Sequence, residues 1–178
     1  PQPAAPQVVP LGSDSTADAD PVAACGALAA SPQEEGWRDR GLADKQIFLN
    51  GAQAACEAAL QAVPDSDTAK TWLARVYVLI GRPADAAPLL ESAAGKGNGF
   101  AAYLLSGLTD NGYDDGVEDD PDRSLQLLRQ ASDAGFTPAS VDLAGRYEMG
   151  EGVDPDIREA ISLYRAAADK GNGRAIYK

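Results

Sequence analysis

Residues 139–171 read ASVDLAGRYEMGEGVDPDIREAISLYRAAADKG, and this stretch decides the fold. Small and apolar residues recur at helical spacing on both sides of Gly150-Glu151-Gly152, which gives two helices joined by a turn. The preceding segment repeats the frame. Ala101, Leu105, Gly112, Val117, Asp120 and Gly135 stand where Ala139, Leu143, Gly150, Val153, Asp156 and Gly171 stand. The corresponding glycines Gly97, Gly135 and Gly171 are 38 and 36 residues apart. A period of that size, carrying paired helical patterns, is the mark of a solenoid, and solenoids work mainly by presenting a surface.

Each repeated residue type has a physical task. Asp120 and Asp156 are placed to accept hydrogen bonds from the first free amides of a helix, and Asp156-x-x-Glu159 has the form of a capping box. Ala93, Ala131 and Ala167 recur where two helices must approach closely, and the glycines fit C-terminal caps with positive φ. The pattern predicts first helices over 100–109 and 138–148, and second helices over 121–133 and 157–170. A shorter hairpin precedes them. Trp72, Leu73, Val76, Tyr77 and Ile80 form a stripe over 68–79, Gly81-Arg82-Pro83 breaks it, and a second helix follows over 84–94. Pro88 is expected to weaken or bend the first turns of that helix.

Upstream, residues 1–20 carry four prolines in their first ten positions and little bulky apolar content, which predicts a disordered leader or linker. Residues 21–66 read as a helical region. One helix opens at Asp20-Pro21, and a second is capped by Asn50 and ended by Pro64. The segment between them is expected to be tethered by Trp37, Ile47, Phe48 and Leu49 packing back on the helices. Cys25 and Cys56 lie one in each helix. They are either two buried thiols acting as small apolar residues or one disulfide joining the pair. Their number and spacing match no zinc motif.

Composition excludes several functions. A net charge of −12 repels phosphate backbones and anionic headgroups, so nucleic acid is not expected as a partner. There is no histidine, which removes the commonest general base and zinc ligand. No apolar run is long enough to span a bilayer, so direct membrane insertion is not expected. Between Lys96 and Arg123 there is no basic residue, and the run DNGYDDGVEDDPD at 110–122 is strongly acidic. Aligning Gly116 with the invariant glycine of a calcium loop puts Asn111 and Tyr113 at ligand positions, so that pattern fails. The Gly-x-Gly steps follow no strand and complete no nucleotide fingerprint. No cofactor, metal or catalytic residue is expected.

The frame from Ala139 to Gly171 resembles the Sel-1-like repeat, a relative of the tetratricopeptide repeat, nearly position for position, with Ala144 in place of its usual glycine. The unit from Ala101 resembles a degenerate copy, with Thr109 in place of tyrosine and Asp114-Asp115 as a two-residue insertion. The unit from Thr68 to Gly97 is similar to a tetratricopeptide repeat. Cys25 to Pro32 and Ala52 to Ala59 resemble the leader region of exported bacterial repeat proteins, where a cysteine pair precedes the first repeat. That likeness implies a disulfide and a periplasmic setting.

The fold implied is an all-α, right-handed solenoid, with repeats at 67–97, 98–135 and 136–171 and the start of another at 172–178. The likeness of 171–178 to 97–104 implies an array that continues, or one completed by a second copy. In such arrays the first helix of each repeat lines the concave face. Carrying those positions over selects Thr71, Arg75, Val78, Phe100, Tyr103, Asp110, Val141 and Glu148 as a surface for a partner peptide or helix. Alanine at Arg75 and Tyr103 together is expected to weaken partner binding without unfolding. The resemblance implies a non-enzymatic scaffold or regulatory module of the bacterial envelope. The alternative is a structural peptidoglycan-associated or surface protein. β-Lactam binding or hydrolysis, known in cysteine-rich members, is disfavoured because no cysteine lies within these repeats.

Overall fold

The computed structural model describes residues 20–34, 36–112 and 117–176. The leader up to residue 19 and the Asp114-Asp115 insertion with Gly116 lie outside the described residues. Among those described, the chain forms α1 (Pro21–Ala29), α2 (Leu49–Ala62), α3 (Asp67–Leu79), α4 (Pro83–Ala94), α5 (Gly99–Asn111), α6 (Pro121–Asp133), α7 (Thr137–Met149), α8 (Ile157–Asp169) and α9 (Gly173–Ile176). Each helix packs on the next, while α1 also reaches α3 and α3 reaches α5. That sequential stacking is an α-solenoid.

Local chemistry accounts for the helix ends. The side chains of Asp20, Ser66, Asn98, Asp120 and Asp156 each accept a backbone N–H from the first turn of α1, α3, α5, α6 and α8. Helix α2 departs from expectation. Its N-cap is Phe48, without a side-chain cap bond, and Asn50 lies inside the helix. The Ala52 amide already donates to the Phe48 carbonyl at 2.9 Å, so the first turn closes before Asn50. Pro88 does not interrupt α4. The carbonyl it deprives of a donor belongs to Ala84, and both residues are exposed, so that end of the helix is open to solvent.

The core is a chain of three linked clusters. Trp72, Leu73 and Val76 meet Cys25, Ala29, Ile47, Cys56 and Ala59 at the N-terminal end. Leu90, Leu105, Leu128 and Leu143 with their neighbours form the middle, and Val141, Ala160, Tyr164 and Ala175 the C-terminal end. Tyr77 and Leu89 pack against the first two clusters, and Tyr147 and Leu163 against the last two. Ala93, Ala131 and Ala167 are fully buried, as close helix approach requires.

Cys25 and Cys56 form a disulfide between α1 and α2, with Cα atoms 4.6 Å apart. The segment after α1 is fastened to α3 chiefly through two side chains. Arg75 donates from Nη1 to the Ala29 carbonyl (2.8 Å) and from Nη2 to the Leu42 carbonyl (2.7 Å). Its Nε and Nη2 also meet Asp44 Oδ1 at 3.1 and 2.6 Å. Trp72 Nε1 donates to both Glu34 oxygens at 3.0 and 2.9 Å, and the Ser31 amide donates to Glu34 Oε1 at 2.6 Å. Trp37 meets Trp72 edge-on with centroids 5.2 Å apart. Gly26 is needed here because a Cβ on it would collide with both indole rings. Of the expected tethers, Trp37, Ile47 and Leu49 join this cluster, whereas Phe48 points outward and is 72 % exposed.

Removing the Arg75 guanidinium strands the Ala29 and Leu42 carbonyls, while the exposed Asp44 carboxylate returns to water, so Arg75→Ala is expected to cost about 2–3 kcal/mol, read as a lower urea midpoint. Burial raises the Glu34 carboxyl above its ordinary 4.5, an effect only partly offset by the Ser31 amide, the Trp72 indole and Arg75. A raised folded-state value means that Glu34 favours the fold most below that ordinary value and loses this contribution as pH rises through the shifted one. Wild type should therefore lose stability relative to Glu34→Gln as pH rises above about 4.5. Fluorescence-detected urea melts read this directly, since both tryptophans of the chain sit at this contact.

Candidate interaction surface

Two adjoining hollows run along α3, α5 and α7. The first, of about 350 Å³, lies between α3, α5 and the segment after α1, with Ser31, Gln33, Asp44, Val78, Tyr103 and Leu104 among its walls. The second, of about 320 Å³, is lined by Val78, Tyr103, Leu104, Gly107, Asp110 and Arg146 among others. Val78, Tyr103 and Leu104 belong to both, so the hollows form one groove. Its centre is apolar. Gly107 leaves open space there, with no atom within 4 Å of where a Cβ would stand.

The charges along the groove are already paired. Asp110 meets Arg146 Nη2 at 2.6 Å. Asp142 accepts the Tyr103 hydroxyl at 2.8 Å and lies 3.3 Å from Arg174. Asp44 is held by Arg75 at the other end. Burial, and then the hydrogen bond to Asp142, drives the Tyr103 phenol well above the ordinary tyrosine range, so it remains a neutral donor. Glu148 accepts the Tyr164 hydroxyl at 2.9 Å, and burial followed by that bond pushes the phenol up to about 12.

The residues chosen from the repeat frame separate into two groups. Val78, Tyr103 and Asp110 line the groove with accessible surface, Arg75 and Phe100 also border its first hollow although almost fully buried, and Glu148 is exposed on α7. Thr71, Arg75, Phe100 and Val141 are at most 6 % exposed. Thr71 is turned back onto the Asp67 carbonyl at 2.8 Å, and Arg75 is spent on its own chain. Phe100 packs on Phe136 at 5.3 Å, and Val141 shares a cluster with Ala175 of α9. The expectation that alanine at Arg75 leaves the fold intact is therefore corrected, because its guanidinium binds the protein's own backbone. Leu104, Gly107, Asp142 and Arg146 were missed. Gly107, one turn after Tyr103 on α5, was the available signal, because a mid-helix glycine costs stability unless space is needed.

Helical hairpins stacked in register define this chain as a helical-repeat protein of the kind that presents a surface. Residues 49–106 match the tetratricopeptide repeat model, and residues 99–136 and 137–172 each match the Sel1 repeat. The chain thus carries tetratricopeptide and Sel1 repeats, and proteins built from such repeats generally mediate protein–protein contacts. A search of curated proteins finds no significant match. Among solved structures, a Sel1 repeat protein from Oxalobacter formigenes superposes with a TM-score of 0.61 at 23 % identity, over 73 % of this chain and 53 % of that one. The protective antigen c5321 of uropathogenic Escherichia coli, which displays an SLR fold, superposes with a TM-score of 0.62 at 21 % identity, over 86 % and 32 %. The chain thus spans about half of the one and a third of the other. At these identities the likeness is one of fold.

Proposed function

We propose that this chain is a non-enzymatic scaffold of the bacterial envelope that takes a partner peptide or helix in the groove along α3, α5 and α7. The observation that carries the reading is the groove itself, apolar along Val78, Leu104 and Gly107 and edged by charges that are mutually neutralised. Such a groove suits a partner that inserts one or two apolar side chains, because closing it strips water from no unpaired charge. The Tyr103 hydroxyl and the Asp142 carboxylate then set the register at its rim. Among the described residues no helix is long and apolar enough to cross a membrane. Export is supported by the buried disulfide, which persists in oxidising compartments, and by the bacterial origin of both structural relatives.

Gly107→Phe tests the groove. The substitution fills open space and removes a helix-interior glycine, so the fold should be kept or gain up to about 1 kcal/mol. Partners captured from envelope extract by the wild type should be lost by at least tenfold; undiminished capture by a folded Gly107→Phe would sink the groove assignment. Non-reducing peptide mapping of protein taken from its native compartment should recover Cys25 and Cys56 as one linked pair. Free thiols there would argue against export.

A further inference from the structure

We propose that the groove along α3, α5 and α7 takes a basic segment, one whose apolar side chains enter the two hollows while a lysine or arginine on either side reaches Asp44 and Asp110. The inference rests on the groove reading above and adds to it the chemistry of the partner.

The carboxylates of the groove are unequally engaged. Asp142 uses both oxygens, Oδ2 for the Tyr103 hydroxyl and Oδ1 for Arg174. Asp44 takes both of its Arg75 contacts on Oδ1, and Asp110 meets Arg146 through Oδ1. Among the described residues no hydrogen bond or ion pair reaches Oδ2 of either carboxylate. These two open oxygens stand on opposite sides of the wall that the hollows share. Asp44 lines only the first hollow and Asp110 only the second, with Val78, Tyr103 and Leu104 between them. A segment lying across that wall has an apolar middle and a charged acceptor at each end.

Burial separates these charges by sign. The lining carries the carboxylates of Asp44, Asp110 and Asp142 and the guanidiniums of Arg75 and Arg146, and Arg174 balances Asp142 from α9. Formal charge is therefore even, and access decides what a partner meets. The Arg75 and Arg146 side chains are 6 % and 16 % exposed, against 65 % and 38 % for their partners Asp44 and Asp110. Both arginines are turned onto their own chain, Arg75 onto Ala29, Leu42 and Asp44, Arg146 onto Asp110 and Ser124. The Tyr103 and Ser106 hydroxyls also donate within the chain. Arg40 and Lys45, close to Asp44 in sequence, are not among the lining residues, and Arg40 stacks on Trp37. An ammonium or guanidinium at either end thus gains a charge-assisted bond to an accessible oxygen, while a partner carboxylate there meets like charge. The net charge of −12 draws cations toward the chain from further away.

Selection from a random-peptide display library on the wild-type chain tests this, with each recovered peptide then measured by fluorescence anisotropy. Peptides that lose at least tenfold in affinity for Gly107→Phe are the groove ligands. They should carry lysine or arginine on both sides of an apolar residue and weaken as salt is raised. Asp44→Asn and Asp110→Asn, each checked for folding by circular dichroism, should each weaken them several-fold; both keep an oxygen for the arginine and remove the charge. Groove ligands that are acidic or uncharged, or that ignore both asparagine substitutions, overturn the basic assignment and leave the groove standing. Basic peptides that bind Gly107→Phe as tightly as wild type report only the overall negative charge and count against the proposal. If no recovered peptide is sensitive to Gly107→Phe, the groove reading falls and this inference with it.

Discussion

The array depends on one turn repeated three times. Gly97, Gly135 and Gly171 have φ of 90°, 87° and 81°, and the next residue in each case sends its amide back to the carbonyl of Ala93, Ala131 or Ala167. Space does not require glycine at the first of these, where nothing lies within 4 Å of a hypothetical Cβ. The left-handed backbone does, at a cost of roughly 1–2 kcal/mol for any other residue. The acceptors are the same alanines whose burial lets neighbouring helices approach. Cap, close contact and launch of the next helix are thus one geometric unit, and stacking follows from repeating it.

The N-terminal end solves a different problem. A solenoid exposes the apolar face of its first hairpin unless something covers it. Here α1, α2 and the segment between them provide the cover, without the glycine turn that orders the later repeats. Their attachment is polar as well as apolar. Arg75 gathers two carbonyls and a carboxylate from distant parts of that segment, and Glu34 turns inward to the Trp72 indole. A buried arginine so used is held by its own chain at the edge of the hollow, a structural task the repeat frame does not reveal.

The divide between what could and could not be read from the sequence follows from range. Helix ends at Asp20, Asp120 and Asp156, the buried alanines and the glycine turns are local devices, and each declared itself within four or five residues. Cys25 and Cys56 suggested a pairing by type and placement, and the structure closes it. The groove was half legible. Tyr103 and Val78 were found by register, but Val141, register partner of Tyr103, is hidden by α9, and its neighbour Asp142 takes the rim position. Nothing near Arg75 in sequence reveals the Ala29 and Leu42 carbonyls, which lie 46 and 33 residues away. Phe48 was expected inside for its size alone, yet Ile47 and Leu49 on either side occupy the available core.

These long-range contacts join the disulfide to the groove. Cys25–Cys56 holds α1 to α2, and α1 ends at the Ala29 carbonyl that Arg75 grips from α3. The same arginine positions Asp44, and Asp44 with Ser31 and Gln33 walls the hollow whose other side is Val78 and Tyr103. A cross-link closing 31 residues contributes about 3–4 kcal/mol on chain entropy. That contribution acts by restricting the unfolded chain, and the wall segment lies within the closed loop. The covalent link sits in the unit that the repeat pattern does not itself order.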